Sequence, residues 1–214
     1  FFYFMALRNA PPVEAGLIAY MWPLLIVVCS ALLPGEKLRW FHIAGAIAGL
    51  VGTFALVSNG SFSMAGFKAE YTSGYVMALA CAVTWTAYSL ISRKFGDVSS
   101  DIIGGYCGAT AILSLICHLL FETTYLPNSS TEWLAVLALG LGPVGAAFFT
   151  WDYGVKHGHI QALGASAYAA PLLSTILLIL FGLAEPSWAV GIACALIVGG
   201  AVLASKDLIL KPNQ

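Results

Sequence analysis

The sequence predicts an all-α, polytopic membrane helix bundle built on an inverted repeat, and three observations predict it. Of its 214 residues 60% are hydrophobic and 9% charged, where a soluble domain carries about 25% charged residues; the mean hydropathy is +0.89. Apolar stretches recur along the whole chain at the length a helix needs to cross hydrocarbon, about 20 residues for about 30 Å. The third observation is a pattern: Tyr20-Met21-Trp22-Pro23, deep in one such stretch, returns in related form as Tyr168-Ala169-Ala170-Pro171.

In chain order, a partial span covers about 1–7, and full spans follow at 12–33, 40–57, 72–92, 102–121, 132–154, 160–183 and 187–205. Lipid offers no water to an unpaired backbone, so each span is read as a helix. The alternating pattern of barrel strands is absent. The opening Phe1-Phe2-Tyr3-Phe4-Met5 lacks a charged n-region, so it reads as the end of a membrane helix and not as a signal peptide. With the C-terminus placed in the cytoplasm, Lys37, Arg39, Arg93, Lys94, Lys156, Lys206 and Lys211 fall inside, and only Arg8 and Lys68 outside. The preference for basic residues on the cytoplasmic side favours that orientation.

A shift of 148 positions places Tyr20 on Tyr168, Pro23 on Pro171, Arg8 on Lys156, Trp40 on Trp188 and Gly52 on Gly200. Arg8 is outside and Lys156 inside, so the two copies cross the membrane in opposite directions. Such inverted repeats are the mark of secondary transporters, whose site lies near the midplane between the halves. In the second copy about 77 residues, holding two complete spans, separate Tyr71 from Phe148, the position that matches Phe1. The expected protein therefore has ten helices in a five-plus-five arrangement, with the first two and part of the third lying ahead of Phe1. The expected organisation is the end of a first repeat at 1–58, an extracytoplasmic linker at 59–71, a second repeat at 72–205 and a cytoplasmic tail at 206–214.

The candidate site residues follow from depth and spacing. Trp40, Trp133 and Trp188 open their spans and Trp151 lies near the end of one, the positions of an interfacial aromatic belt. Trp22 and Trp85 lie well inside theirs and are read as cavity residues, with ordinary helix packing as the alternative. Pro23 and Pro171 each lack an N–H and clash with the carbonyl four residues back, so they should free the carbonyls of Ala19 and Ala167 for a substrate ammonium; a mere kink is the alternative. Tyr20 and Tyr168 stand three residues ahead of these prolines, on the same helix face. With Trp22, their rings add cation–π attraction worth about 0.5–2 kcal/mol.

Two acids lie within spans, where ionisable groups are functional candidates. Glu14 follows Pro11-Pro12 in a first helical turn and suits the positive dipole end. Asp152, near a cytoplasmic helix end, has Lys156 at i+4 and suits an interfacial ion pair. Ion or proton coupling is the second reading of both. The glycines at 45, 49, 52, 104, 105, 108, 140, 142, 145, 199 and 200 are read mainly as close helix contacts, with Gly140-Leu141-Gly142-Pro143 also able to loosen its span. Cys29, Cys81, Cys107, Cys117 and Cys194 have no C-x-x-C spacing and read as small packing residues, not as a disulfide or zinc framework. His157-Gly158-His159 has no ligand cluster around it, so no metal or cofactor is expected. Nor is there a phosphate-binding loop ending in Gly-Lys-Ser or Gly-Lys-Thr. The net charge of −1 gives no reason to expect a nucleic-acid partner, and nothing fixes an oligomeric state.

The run from Ala6-Leu7-Arg8-Asn9-Ala10-Pro11-Pro12-Val13-Glu14 to Tyr20-Met21-Trp22-Pro23-Leu24-Leu25, with Gly35-Glu36-Lys37-Leu38 after it, resembles the first EamA repeat of the drug/metabolite transporter superfamily. A second EamA copy runs from Phe148 to Ser205. The V-E-x-G-x-x-x-Y-x-W-P stretch is similar to aromatic amino acid exporters of the YddG type. This resemblance implies a ten-helix basket in the bacterial inner membrane with both termini cytoplasmic. It implies Tyr20 and Trp22 as cavity residues of the fourth helix and Trp85 as that of the sixth, with Tyr88, at the end of the same run, as a further candidate substrate-binding residue. It also implies Tyr3 as a cavity tyrosine on the third. The expected substrate is an aromatic amino acid or similar amphipathic solute, exported by alternating access around Tyr3, Tyr20, Trp22, Trp85 and Tyr168. The nearest alternative is a multidrug or other metabolite exporter of the same superfamily, since a flat organic cation fits an aromatic cage equally well. A membrane assembly subunit without a transport path is a third. No clustered nucleophile, metal ligands or paired acids favour an intramembrane enzyme.

Overall fold

The computed structural model describes residues 1–58, 68–183 and 185–207. Most of the linker expected at 59–71, Lys211 and nearly all of the expected tail at 206–214 lie outside the described residues. All regular structure among the described residues is helical.

The first helix, α1 (Phe2–Asn9), stops at Ala10, whose φ −150° and ψ 158° are extended, because a residue close ahead of the Pro11-Pro12 pair is driven out of the helical region. Helix α2 (Pro12–Ala19) starts with proline in its first turn, where the missing N–H has no intrahelical partner to lose. The span expected at 12–33 is then interrupted: α2 ends at Ala19, Tyr20 and Met21 form a turn, and α3 (Trp22–Cys29) restarts with Pro23 in its first turn. A 3-10 turn at Ser30–Leu32 closes it. Helix α4 (Trp40–Val57) is continuous, as is α5 (Thr72–Lys94). Next come α6 (Ile102–Phe121) and α7 (Ser130–Leu141), the latter capped by the Ser129 hydroxyl, which accepts from the Glu132 N–H at 3.2 Å. A π-helical turn at Gly142–Ala146 links α7 to α8 (Ala147–His157). Pro143 explains that change of pitch, since it cannot donate to Leu139 and its ring crowds that carbonyl.

The span expected at 160–183 is broken in the same manner as the first, into α9 (Ile160–Ser166) and α10 (Ala169–Leu180) around Ala167-Tyr168. It ends at Leu180, three residues early. Gly182 sits at φ 70°, and the Gly182 and Leu183 amides turn back to Ile179 and Leu178, the usual glycine-based helix stop. After it comes α11 (Trp188–Ala204).

Six helical stretches among the described residues are long and apolar enough to cross a membrane: Pro12–Leu32, Trp40–Val57, Ala69–Lys94, Ile102–Phe121, Ser130–His157 and Ile160–Leu180. The seventh expected span is the 17-residue apolar helix α11, which at 1.5 Å per residue reaches about 25 Å.

The chain forms two compact units, Phe1–Ile91 with His159–Gln214, and Ser92–Gly158. In the first, α11 lies along α4, and α3 packs on both α4 and α9. Glycine permits the α4–α11 approach: a Cβ on Gly45 would overlap the carbonyl oxygen of Gly200, and one on Gly200 that of Gly45. We expect Gly200→Ala to lower the unfolding temperature in detergent, at a cost of about 1–3 kcal/mol for forced overpacking. Gly199→Ala, in the same helix turn but with nothing within 4 Å, is expected to leave it unchanged or raise it slightly.

The second unit holds the end of α5, then α6, α7 and α8. Its helices expose long apolar side chains, including Leu119, Phe121, Leu134 and Leu141. Here the glycine expectation is corrected. Gly105, Gly108, Gly140 and Gly142 meet nothing within 4 Å, and Gly104 makes only an ordinary contact with Phe149. Their helix faces have no neighbour to approach within this unit, so close packing cannot be their role there.

Candidate functional site

The break between α2 and α3 opens a cavity of about 380 Å³ in the first unit, lined by Tyr3, Ala19, Tyr20, Trp22, Cys81 and Trp85. This is within the range that holds a small organic ligand. None of these side chains carries a formal charge. The break itself presents Tyr20 and Trp22, since an unbroken helix would rotate successive residues by about 100° onto different faces. Trp22 meets Trp85 of α5 edge to face, with ring centroids 6.1 Å apart and planes at 80°, a favoured aromatic geometry. Tyr88, one turn further along α5, lies against Trp85 at 5.3 Å and 40°; it backs the pocket wall and is not among the lining residues. The Thr86 hydroxyl donates to the Ala82 carbonyl at 2.8 Å and reaches the Trp22 carbonyl at 3.4 Å.

Tyr3, Tyr20, Trp22 and Trp85 are thus brought together, but the mirrored residues of the second break are not. Tyr168 is fully buried. Its ring lies on Gly49, where a Cβ would overlap it, and its hydroxyl oxygen accepts the Leu24 N–H at 3.2 Å. This corrects its assignment as a cavity wall: the close approach of α4, made possible by Gly49, encloses it. Pro23 and Pro171 are both buried, so each shapes a break without presenting a surface. The carbonyl of Ala167, expected to be freed by Pro171, accepts the Ala170 N–H at 3.1 Å; the chain tightens there to a three-residue turn that re-engages it.

Glu14 stands in the first turn of α2 and accepts a hydrogen bond from the Tyr75 hydroxyl, tying α2 to α5. Asp152 belongs to the second unit, and its pairing with Lys156 is present at 2.6 Å and buried within the protein. The Ser92 and Ser100 hydroxyls also donate to Asp152, at 2.6 and 2.7 Å. Lys156 donates to the Val98 carbonyl at 3.0 Å. Arg93 covers the end of α8, donating to the carbonyls of Val155, Lys156 and Gly158 at 2.7–2.9 Å, the end of a helix that favours a cation. His159 caps α9 through the Ala162 N–H and faces the ring of His42 at 5.6 Å.

Sequence reasoning placed the Ala19 carbonyl at the site but missed Cys81 as a lining residue. Cys81 is four positions before Trp85, on the same helix face, and that spacing was the available signal. Nothing local marked the Tyr75–Glu14 or Tyr168–Leu24 contacts, whose partners are 61 and 144 residues apart.

The model of the EamA-like transporter family matches residues 1–58 and 72–206. The chain belongs to the EamA-like transporter family. Among its relatives, a protein of Ancylobacter novellus named aromatic amino acid exporter YddG is 58% identical over 96% of this chain and 71% of that protein. A protein of Escherichia coli with the same name is 25% identical over 89% of this chain and 66% of its own length. A probable terminal-alkyne amino-acid exporter of Streptantibioticus cattleyicolor is 23% identical over 96% and 70%. A crystal structure of a chain 57% identical to this one superposes with a TM-score of 0.90, over 96% of this chain and 72% of that one. This EamA-like transporter is therefore a multi-pass membrane protein, all-helical in its described residues.

Proposed function

We propose that this chain forms the greater part of a secondary transporter that exports aromatic and similar amphipathic amino acids from the cytoplasm. The observation that carries the reading is the pocket of about 380 Å³ at a broken membrane helix, walled by Tyr3, Tyr20, Trp22 and Trp85. The names of the relatives support an amino acid as cargo. An aromatic side chain would stack or pack edge-on among the rings, and its ammonium would meet their π-faces. Ala19 lines the same pocket, and Pro23, four residues on, has no N–H to offer its carbonyl, so a backbone acceptor stands beside the rings.

The architecture we propose is the inverted five-plus-five repeat, with both broken spans near the midplane. The paired breaks at Tyr20-Met21 and Ala167-Tyr168 support it. So does the matching shift of 148 positions. The repeats would be 1–58 and 72–205 of a ten-helix protein, and the C-terminus would be on the cytoplasmic side of the inner membrane. Glu14 and Asp152 are better read as structural anchors than as coupling groups, because each is engaged by a neighbouring helix or loop.

Counterflow in proteoliposomes with a panel of amino acids tests the substrate. Tryptophan, phenylalanine and tyrosine should exchange, and leucine or lysine poorly; a flat organic cation exchanging in their place would move the assignment to the multidrug class. The pocket is tested through its own cysteine. With the other four cysteines replaced, Cys81 should react with a small thiol reagent, and an aromatic amino acid should slow that reaction severalfold, while an equal concentration of lysine should not.

A further inference from the structure

We propose that Tyr168 is a positioning residue for substrate selection: from the second broken span, its hydroxyl holds the first broken span in the shape that aims Trp22 into the pocket. This deepens the reading of the Tyr20–Trp22 break as a substrate wall and rests on it.

The break leaves backbone donors of α3 without intrahelical acceptors, as any helix start does. Pro23 removes one of them. Leu24, the next, would bond the Tyr20 carbonyl in a continuous helix; here its N–H donates to the Tyr168 oxygen at 3.2 Å. A helix start is normally capped by a residue next to it in sequence, whereas this one is capped from 144 residues away. The cap has little freedom, because Tyr168 is fully exposed to none of its surroundings but protein and its ring is seated on Gly49. Two residues before Leu24, Trp22 contacts Trp85 on the pocket side. Tyr168 thus touches the back of the same turn whose front faces substrate. Its repeat mate, Tyr20, lines the pocket instead, so the two related tyrosines have divided the work of binding and holding.

The full-length protein in proteoliposomes tests this with Tyr168→Phe, which keeps the ring and removes the acceptor, with Trp22→Phe, and with both together. We expect Tyr168→Phe to raise KM for tryptophan about fivefold to tenfold, the loss of one buried hydrogen bond, with the maximal rate within about twofold, and to change the tryptophan-to-phenylalanine preference. If Tyr168 acts through Trp22, most of that shift disappears in the Trp22→Phe background, the non-additivity of coupled neighbours. An equal shift in both backgrounds, or a lower unfolding temperature with KM and preference retained, reduces Tyr168 to a packing residue and overturns the proposal. A Trp22→Phe change in KM beside an unaltered Tyr168→Phe overturns the proposal and leaves the pocket standing; an unaltered Trp22→Phe removes both. Should Tyr168→Phe fail to reach the membrane, Thr86→Val removes a second side-chain hydrogen bond to this turn, and the same change of preference is expected, its absence counting against the proposal.

Discussion

Trp22→Ala and Trp85→Ala are each expected to abolish export of an aromatic amino acid without lowering the amount of protein in the membrane. The two indoles meet edge to face at 6.1 Å and together form one side of the pocket. Removing either deletes a ring the substrate would pack on and leaves its partner free to turn into the space. An aromatic pair contributes about 0.5–1.5 kcal/mol beyond its buried area and a desolvated cation–π contact about 2 kcal/mol. The sum corresponds to a loss of about two to two and a half orders of magnitude in affinity. Trp22→Phe should keep part of the activity and shift preference toward smaller substrates. Initial rates in proteoliposomes, normalised to reconstituted protein, provide the measurement; wild-type rates for both alanine variants would remove the pocket as the substrate site. Both indoles are half-buried and border the pocket instead of filling a closed core, which is why folding should survive.

The second large effect is on stability. Asp152→Ala should destabilise the protein by about 3–5 kcal/mol, the usual cost of leaving a buried charge without its partner. Asp152 is the acceptor for Lys156, Ser92 and Ser100 at once, and without it the buried Lys156 ammonium keeps the Val98 carbonyl among the contacts described here. The unfolding temperature in detergent and the abundance in the membrane should both fall. Asp152→Ala combined with Lys156→Met should recover much of the loss, since an apolar replacement of a buried pair is often neutral or better. The same variants separate anchoring from proton coupling. A structural Asp152 predicts that Asp152→Asn is less stable but, per folded molecule, transports with an unchanged pH profile; a coupling acid would show the reverse.

Much of the fold was legible because the bilayer narrows the choices. A chain with so few charges must cross lipid as closed helices, and the lengths of the apolar runs located α4 and α6 to the residue. Proline located most interruptions by local mechanism: Pro11-Pro12 ends α1 and Pro23 breaks the first split span; the stop at Gly182, which ends α10 three residues early, was missed. The π-helical turn at Gly142–Ala146 was half visible, as a stretch able to loosen the helix, but its geometry was not, because relief of a proline clash can take several forms. The lining of the pocket was legible where depth and local sequence sufficed, as for Tyr20, Trp22 and Trp85. It was misread at Tyr168, where repeat symmetry argued for a second cavity wall.

By itself the sequence determined the number and limits of most spans, their helical state, the two breaks and the aromatic side of the pocket, since each depends on residues close together in the chain. Only the tertiary structure decided which of two related tyrosines lines the pocket and which is buried. Tyr20 lines the pocket and Tyr168 is buried because Gly49 lets α4 close over the second ring and the Leu24 amide occupies its oxygen. Nor could an ion pair expected at an interface be known to be buried until Ser92, Ser100 and Val98 were seen around it. Burial and hydrogen-bond partners are set by packing between distant segments, and no local pattern encodes them.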